Sequence, residues 1–317
     1  MKRFGFPMKP TTPHTVTWAG FAITFIGSIL FSTKAIIVKV AFGNTEMDAL
    51  SLLALRMLFS LPFYLGAAWL AFNRSDAAKL TAKQWGWIIF LGLFGYYLSS
   101  LFDFVGLQYV TAGLERLILF LYPTFAVLIN ALLFGQPVTR MQRIALMLTY
   151  VGIAIAYVGE LQIDIDNPNF LWGSLLIFLC SVTFSVYIVG SGRMIPKVGA
   201  NKFTAWAMIA STFGVFLHYA IAGKTSPGKV ITEYWHYGLL LAVVATVLPS
   251  FLTAQGMKRI GSNNVAIISA IGPVSTIIQA HYILGEHIFA AQIAGTLLVI
   301  AGVLLIGWQK GENLKNK

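Results

Sequence analysis

Residues 111–136 read TAGLERLILFLYPTFAVLINALLFGQ. A helix that crosses a bilayer needs ~20 consecutive, mostly apolar residues, and this stretch supplies them. Its first turn holds Glu115 and Arg116, its middle holds Pro123, and it ends on Gly135-Gln136. The chain then writes the stretch again. Residues 261–286 read GSNNVAIISAIGPVSTIIQAHYILGE, with Pro273 standing 150 positions after Pro123 and Gly285-Glu286 150 positions after Gly135-Gln136. The same offset joins Trp85 to Trp235, Ser100 to Ser250, Gly106 to Gly256, Gln142 to Gln292 and Gly152 to Gly302. One offset linking so many separated positions marks an internal duplication, which is a signature of transporters.

Composition agrees with a membrane protein. Hydrophobic residues make up 57% of the chain and charged residues 10%, against ~25% charged in an average soluble domain. The net charge of +11 would point to nucleic acid in a soluble protein. Here the basic residues sit between apolar runs, where they act as orientation signals, so no nucleic-acid partner is expected. The one cysteine, Cys180, lies inside an apolar run, which rules out a disulfide framework.

Ten apolar segments follow one another, at roughly 18–41, 49–72, 85–109, 112–134, 141–159, 171–190, 203–222, 236–257, 263–285 and 291–309. The first is longer than the apolar core of a signal peptide and lacks a small-residue cleavage site, so it reads as a retained span. With the N-terminus inside, 16 of the 22 Lys and Arg residues fall in cytoplasmic segments and two, Lys224 and Lys229, fall outside. That bias predicts ten spans with both termini cytoplasmic. The eight tryptophans all fall near span ends, where amphipathic rings favour the interface. Five spans per copy is an odd number, so the second half must lie inverted relative to the first. Inverted repeats place a binding site near the midplane between the halves.

The phrase FSTKAIIVK in span one, Leu55-Arg56 in span two, and the closing segment GPVSTIIQAHYILGEHIFAAQIAGTLLVIAGVLLI carry a family resemblance. Over nearly its whole length the chain resembles the EamA branch of the drug/metabolite transporter superfamily. The first copy has Gln136 where such repeats often carry Glu. The resemblance implies an all-α integral membrane protein with ten transmembrane helices as two inverted five-helix EamA repeats. These run over 18–160 and 171–309, between a cytoplasmic arm at 1–17 and a tail at 310–317. It further implies a carrier in a bacterial inner membrane that exports or exchanges amino acids or related metabolites. A sugar-phosphate or nucleotide-sugar exchanger of the same superfamily is the alternative, with a channel, scaffold or membrane enzyme behind it. A small-molecule substrate and the lipid bilayer are the expected partners, no cofactor or metal is implied, and a homodimer is left open.

Within the spans the chain keeps several ionisable residues, each costly at membrane depth. Lys34 lies eight residues before Phe42 and Arg56 eight residues after Asp48, so both sit ~12 Å deep at 1.5 Å per residue. Asp103, Glu115 and Arg116 complete the group, with a balance of one positive charge. The equivalent second-copy positions, Thr253, Val265 and Ala266, are neutral. Two readings stand: an ion network that staples spans one to four, with Asp103 pairing Arg56 or Lys34, or a wetted cavity in which Lys34 or Arg56 holds a substrate carboxylate. Tyr96, Tyr122 and Gln279 are further candidate substrate contacts. Asp103, Glu115, Arg116 and His281 are candidates for proton coupling or the ion network, with Glu115 the acid expected nearer outside water. Pro123 and Pro273 are candidate helix breaks, and Pro62 and Pro249 two more.

Overall fold

The computed structural model describes residues 17–72, 80–134, 140–161, 167–269 and 271–315, and every regular element among them is helical. In chain order, α1 is Trp18–Asn44 and α2 is Ala49–Phe72. Helix α3, Ala82–Phe90, runs through a π-helical segment, Leu91–Tyr97, into α4, Leu98–Gly106. Then come α5 Ala112–Leu119, α6 Tyr122–Phe134 and α7 Arg140–Leu161. The second half holds α8 Phe170–Val198, α9 Ala200–Ala222 and α10 Pro227–Ala242. A π segment, Val243–Val247, leads into α11, Leu248–Ile268, followed by α12 Ile271–Gln279 with a π segment Ala280–Leu284, and α13 Ala290–Lys315.

Among the described residues, seven helices are long and apolar enough to cross a membrane. Two shorter apolar helices, Met147–Ala156 and Ala290–Gly302, accompany them. Many large apolar side chains on these helices face outward, including Leu70, Leu132, Phe213 and Ile221. In water such a surface would be a liability, whereas lipid solvates it. Among the described residues Trp18, Trp69, Trp172 and Trp235 are exposed, while Trp85 packs edge-on against Trp206 at 4.8 Å.

Lipid offers no hydrophobic drive between helices, so helices associate where small residues let backbones approach. The duplication shows in where those residues lie. Helix α8 crosses α4 at Gly173 and Gly106, whose side-chain space is already taken by Tyr109 and Ile177. Helix α1 crosses α11 at the matching pair, Gly20 against Ile260 and Gly256 against Thr24. The last helices of the two halves, α7 and α13, meet at Gly152 and Gly295, where a Cβ on Gly152 would stand 2.6 Å from the Gly295 carbonyl.

The breaks are paired too. The fourth span is interrupted between α5 and α6, just before Pro123. Helix α11 changes direction at Gly261 (φ 78°, ψ 157°), a backbone conformation open mainly to glycine. Residues 262–268 and α12, with Pro273 at its start, therefore repeat α5 and α6. Pro62 differs from its sequence reading: α2 runs through it without interruption. Pro249 likewise leaves its helix unbroken, since the chain stays helical from α10 through the π segment into α11.

Candidate functional site

Three spans of the first half bring their charges together. Lys34 of α1 places its Nζ 2.7 Å from Asp103 Oδ2 on α4 and 3.5 Å from Glu115 Oε1 on α5. All three residues are buried, Glu115 completely. Of the two partners the sequence offered Asp103, the structure selects Lys34. Arg56 turns away from the acids. Its guanidinium carbon lies 4.8 Å from the Phe104 ring and 5.9 Å from the Tyr96 ring, where desolvated cation–π contacts are worth about 2 kcal/mol. Glu115 is closed in despite its place one turn into the span, because α1, α8 and α12 pack over α5.

Helix α5 is held at its start by the other half of the chain. The first amides of a helix have no partner within it. Here Glu286, beyond α12, accepts from the Ala112 and Gly113 amides at 2.9 and 3.2 Å. Thr111 Oγ1 accepts from Leu114 at 3.1 Å. A side chain on Gly113 would run into Gln292. The carboxylate also sits where the helix dipole favours negative charge. Fixing this start fixes where the next turn aims Glu115 and Arg116.

Arg116 points to a different side of α5 from Glu115, as neighbours ~100° apart on a helix must. Its guanidinium carbon lies 5.3 Å from the Phe31 ring and its nitrogens pack against Gly272. Arg116 is 6% exposed, its Nε has no hydrogen-bond partner, and neither Arg116 nor Arg56 has an ion pair among the described residues. A buried cation without a counter-charge is costly unless water or a ligand reaches it.

Such a space exists beside it. A cavity of about 70 Å³ lies between α1, α5, α8, α9 and α11, several times the room one water needs. Rings form much of its wall. Phe31 stacks on Phe184 at 5.9 Å, Tyr122 meets Phe184 edge-on at 5.3 Å, and Tyr187 stacks on Phe184 at 6.0 Å. Arg116 is the one charged side chain among the described lining residues. Hydroxyls complete the wall, among them Ser28 and Ser269 bonded to each other at 3.0 Å. Thr204 Oγ1 is buried with no partner.

A second pocket of about 10 Å³ lies next to it, around Lys34, Arg56, Asp103 and Ser100. It is the first half's image of the open cavity. Ser100 and Asp103 line the small one, and their counterparts Ser250 and Thr253 line the large one. Phe31 and Phe184 line both. The small pocket is filled by its own ion pair, and the cavity without such a pair is open.

Of the residues singled out in the sequence, Tyr96, Tyr122 and Arg116 line the open cavity, while Lys34, Arg56 and Asp103 line the small pocket with Tyr96. Gln279 lies elsewhere, donating to Ser275 at 2.7 Å and Ser32 at 3.4 Å. His281 is exposed, its Nδ1 2.9 Å from the Glu286 carbonyl oxygen. Gln136 lies outside the described residues. Sequence reasoning passed over Phe184, Tyr187 and Thr204. Phe31 and Phe184, like Gly20 and Gly173, are 153 positions apart, so a search at 150 alone does not align them. Among the described residues no group of His, Cys, Asp and Glu is placed to hold a metal ion.

The profile of the EamA-like transporter family matches the chain twice, over residues 13–158 and 171–308. The uncharacterized transporter YcbK of Bacillus subtilis is 30% identical over 296 residues, 90% of this chain and 92% of that protein. An uncharacterized transporter of Archaeoglobus fulgidus is 24% identical over 277 residues, covering 87% and 93%. A solved crystal structure shares the fold, with a TM-score of 0.65 and 19% identity over 92% of this chain and 96% of its own. The chain is a multi-pass membrane protein of the EamA-like transporter family, within the drug/metabolite transporter superfamily.

Proposed function

We propose that this protein is a secondary transporter that moves a small carboxylate-bearing metabolite, an amino acid or a related acid, across a bacterial inner membrane. It works by alternating access between its two repeats. The reading takes ten spans: the seven long helices, the two shorter ones, and the broken segment 262–284. The repeats then occupy 18–160 and 171–309, between the arm 1–17 and the tail 310–317. The excess of basic residues on one side supports cytoplasmic termini. In that orientation the open cavity lies toward the cytoplasm, because Ile195 and Thr204 flank the α8–α9 turn and Met257 precedes Gly261 by about one turn. Space on that side supports loading from within, hence export.

Arg116 carries the reading. It is a buried guanidinium without a counter-charge, on the wall of a cavity between the repeats. A carboxylate is the ligand that would neutralise it, and bidentate pairing suits both groups. This moves the substrate contact from Lys34 and Arg56 to Arg116, since Lys34 is already held by two acids. A sugar phosphate or nucleotide sugar would call for several cavity cations, and the described wall has one. The test is counter-substrate exchange in proteoliposomes with a panel of carboxylates. Arg116→Gln should abolish exchange and Arg116→Lys should retain part of it. Undiminished exchange by Arg116→Gln would remove Arg116 from the site.

A further inference from the structure

Resting on that reading of Arg116, the cavity narrows the substrate further. Of the acids that reading allows, we infer that it sets α-amino acids aside and takes a carboxylate on a flat aromatic or otherwise ring-shaped apolar body, without an ammonium group on the carbon next to the carboxylate.

The body follows from the walls. Phe31, Phe184 and Tyr187 lie nearly parallel, with interplanar angles of 16° for Phe31 on Phe184 and 19° for Phe184 on Tyr187. Tyr122 stands nearly perpendicular to Phe184, at 81°, and Phe120 to Tyr122, at 83°. The faces and edges of this belt offer a planar ligand both stacked and edge-on contacts. A ring also gains packing there at little entropic cost, because it has few torsions to freeze.

The missing ammonium follows from charge. In an α-amino acid the ammonium sits on the carbon that bears the carboxylate. If the carboxylate reaches Arg116, the ammonium is carried to the same end of the cavity, beside the guanidinium. Like charges in a low-dielectric site repel strongly. An acid in the wall would offset this, but none of the described lining residues is acidic. The nearest candidate by sequence, Glu115, is turned to Lys34. The remaining polar groups at hand are hydroxyls. Ser28 and Ser269 are bonded to each other, Ser191 is bonded to the Tyr187 carbonyl at 2.6 Å, and Thr204 Oγ1 is free to donate or accept. They suit a neutral polar substituent on the far side of the ring rather than a cation.

The experiment titrates the purified full-length protein in detergent with three probes, following the melting temperature, which a ligand raises only by binding the folded state. Hydrocinnamate is phenylalanine without its ammonium, phenethylamine is phenylalanine without its carboxylate, and phenylalanine itself is the third. Hydrocinnamate should bind at least about tenfold tighter than phenylalanine, the difference expected of one poorly compensated charge, and phenethylamine should give no shift. Phenylalanine binding as tightly as hydrocinnamate, or a shift with phenethylamine alone, overturns the inference. Silence from all three probes overturns the ring-bearing class. The Arg116 reading fails separately, if Arg116→Gln melts like wild type without ligand and still binds both carboxylates undiminished. Because the three probes are compared on the wild-type chain, the inference can fail even if Arg116 variants do not fold.

Discussion

Lys34 Nζ stands 2.7 Å from Asp103 Oδ2, while the residue equivalent to Asp103 in the second repeat, Thr253, faces open space. The two repeats share a backbone plan but differ in charge at these equivalent positions. The ion pair occupies the small pocket, and the uncharged equivalents line the larger cavity between the repeats.

Asp103→Asn should therefore destabilise the protein through Lys34 rather than Arg56. Removing one member of a buried pair costs about 3–5 kcal/mol, less where water enters. Glu115 remains to hold part of the Lys34 charge. A double-mutant cycle of Asp103→Asn with Lys34→Gln should show coupling well above the few tenths of a kcal/mol expected between non-contacting sites. The cycle with Arg56→Gln should not. Equal coupling for both would contradict the pairing.

Glu286→Ala should lower the melting temperature by orphaning the Ala112 and Gly113 amides. Each buried donor left without a partner costs about 1–3 kcal/mol. Glu286→Gln, which keeps an acceptor, should recover part of the loss. If both variants melt like wild type, the α5 amides find another acceptor and the carboxylate is not what anchors them.

Gly152→Val should disrupt the α7–α13 contact. The added atoms meet the Gly295 carbonyl and the Leu298 Cβ, 2.6 and 2.8 Å from the position of a new Cβ. Overpacking typically costs 1–3 kcal/mol, and here backbone rather than a flexible side chain must give way. Yield of monodisperse protein in detergent is the readout, with Gly43→Val, where nothing lies within 4 Å, as the control. Equal yields would show that the helices can part there without loss.

Glu115→Gln should separate binding from proton coupling. The amide keeps its shape and loses the titratable group. Exchange against internal substrate should continue, and accumulation driven by a pH gradient should stop. Accumulation with the wild-type pH dependence would exclude Glu115 as the coupling acid.

Cysteines placed at Asn44 and Asn167 should react with an impermeant thiol reagent in intact cells, and cysteines at Ser75 and Asn313 should not. Labelling at Ser75 with none at Asn44 would invert the orientation and with it the proposed loading side.

The fold was legible because duplication and hydropathy leave marks on single residues. Pro123 and Pro273 located the two broken spans, and Gly106 with Gly256 located the matching crossings. The ionisable residues announced themselves by their cost at membrane depth. What the sequence could not supply was direction around each helix axis. Glu115 and Arg116 are adjacent, yet one closes the small pocket's ion cluster and the other faces the cavity. Pairing depends on which way each side chain turns: α2, the helix of Arg56, packs on α4, yet Arg56 lies against the Phe104 and Tyr96 rings and Lys34 of α1 reaches Asp103. The aromatic belt was hidden for another reason: phenylalanine and tyrosine are ordinary residues in any span, and only their convergence distinguishes Phe184 and Tyr187.

The π segments bear on the history of the chain. Leu91–Tyr97 and Val243–Val247 interrupt the third helix of each repeat at matching places, with Leu93 aligned to Val243 and Tyr97 to Val247. A π turn accommodates one residue more than an α-helical turn. Arising after duplication, this defect would need two separate insertions at the same point. Arising before, it needs one. A common origin makes it older than the joining of the halves and dates it to a single-repeat ancestor. In the proposed ten-span topology the two copies face opposite ways, which asks of that ancestor five helices stable in either direction across the membrane, a body plan indifferent to up and down.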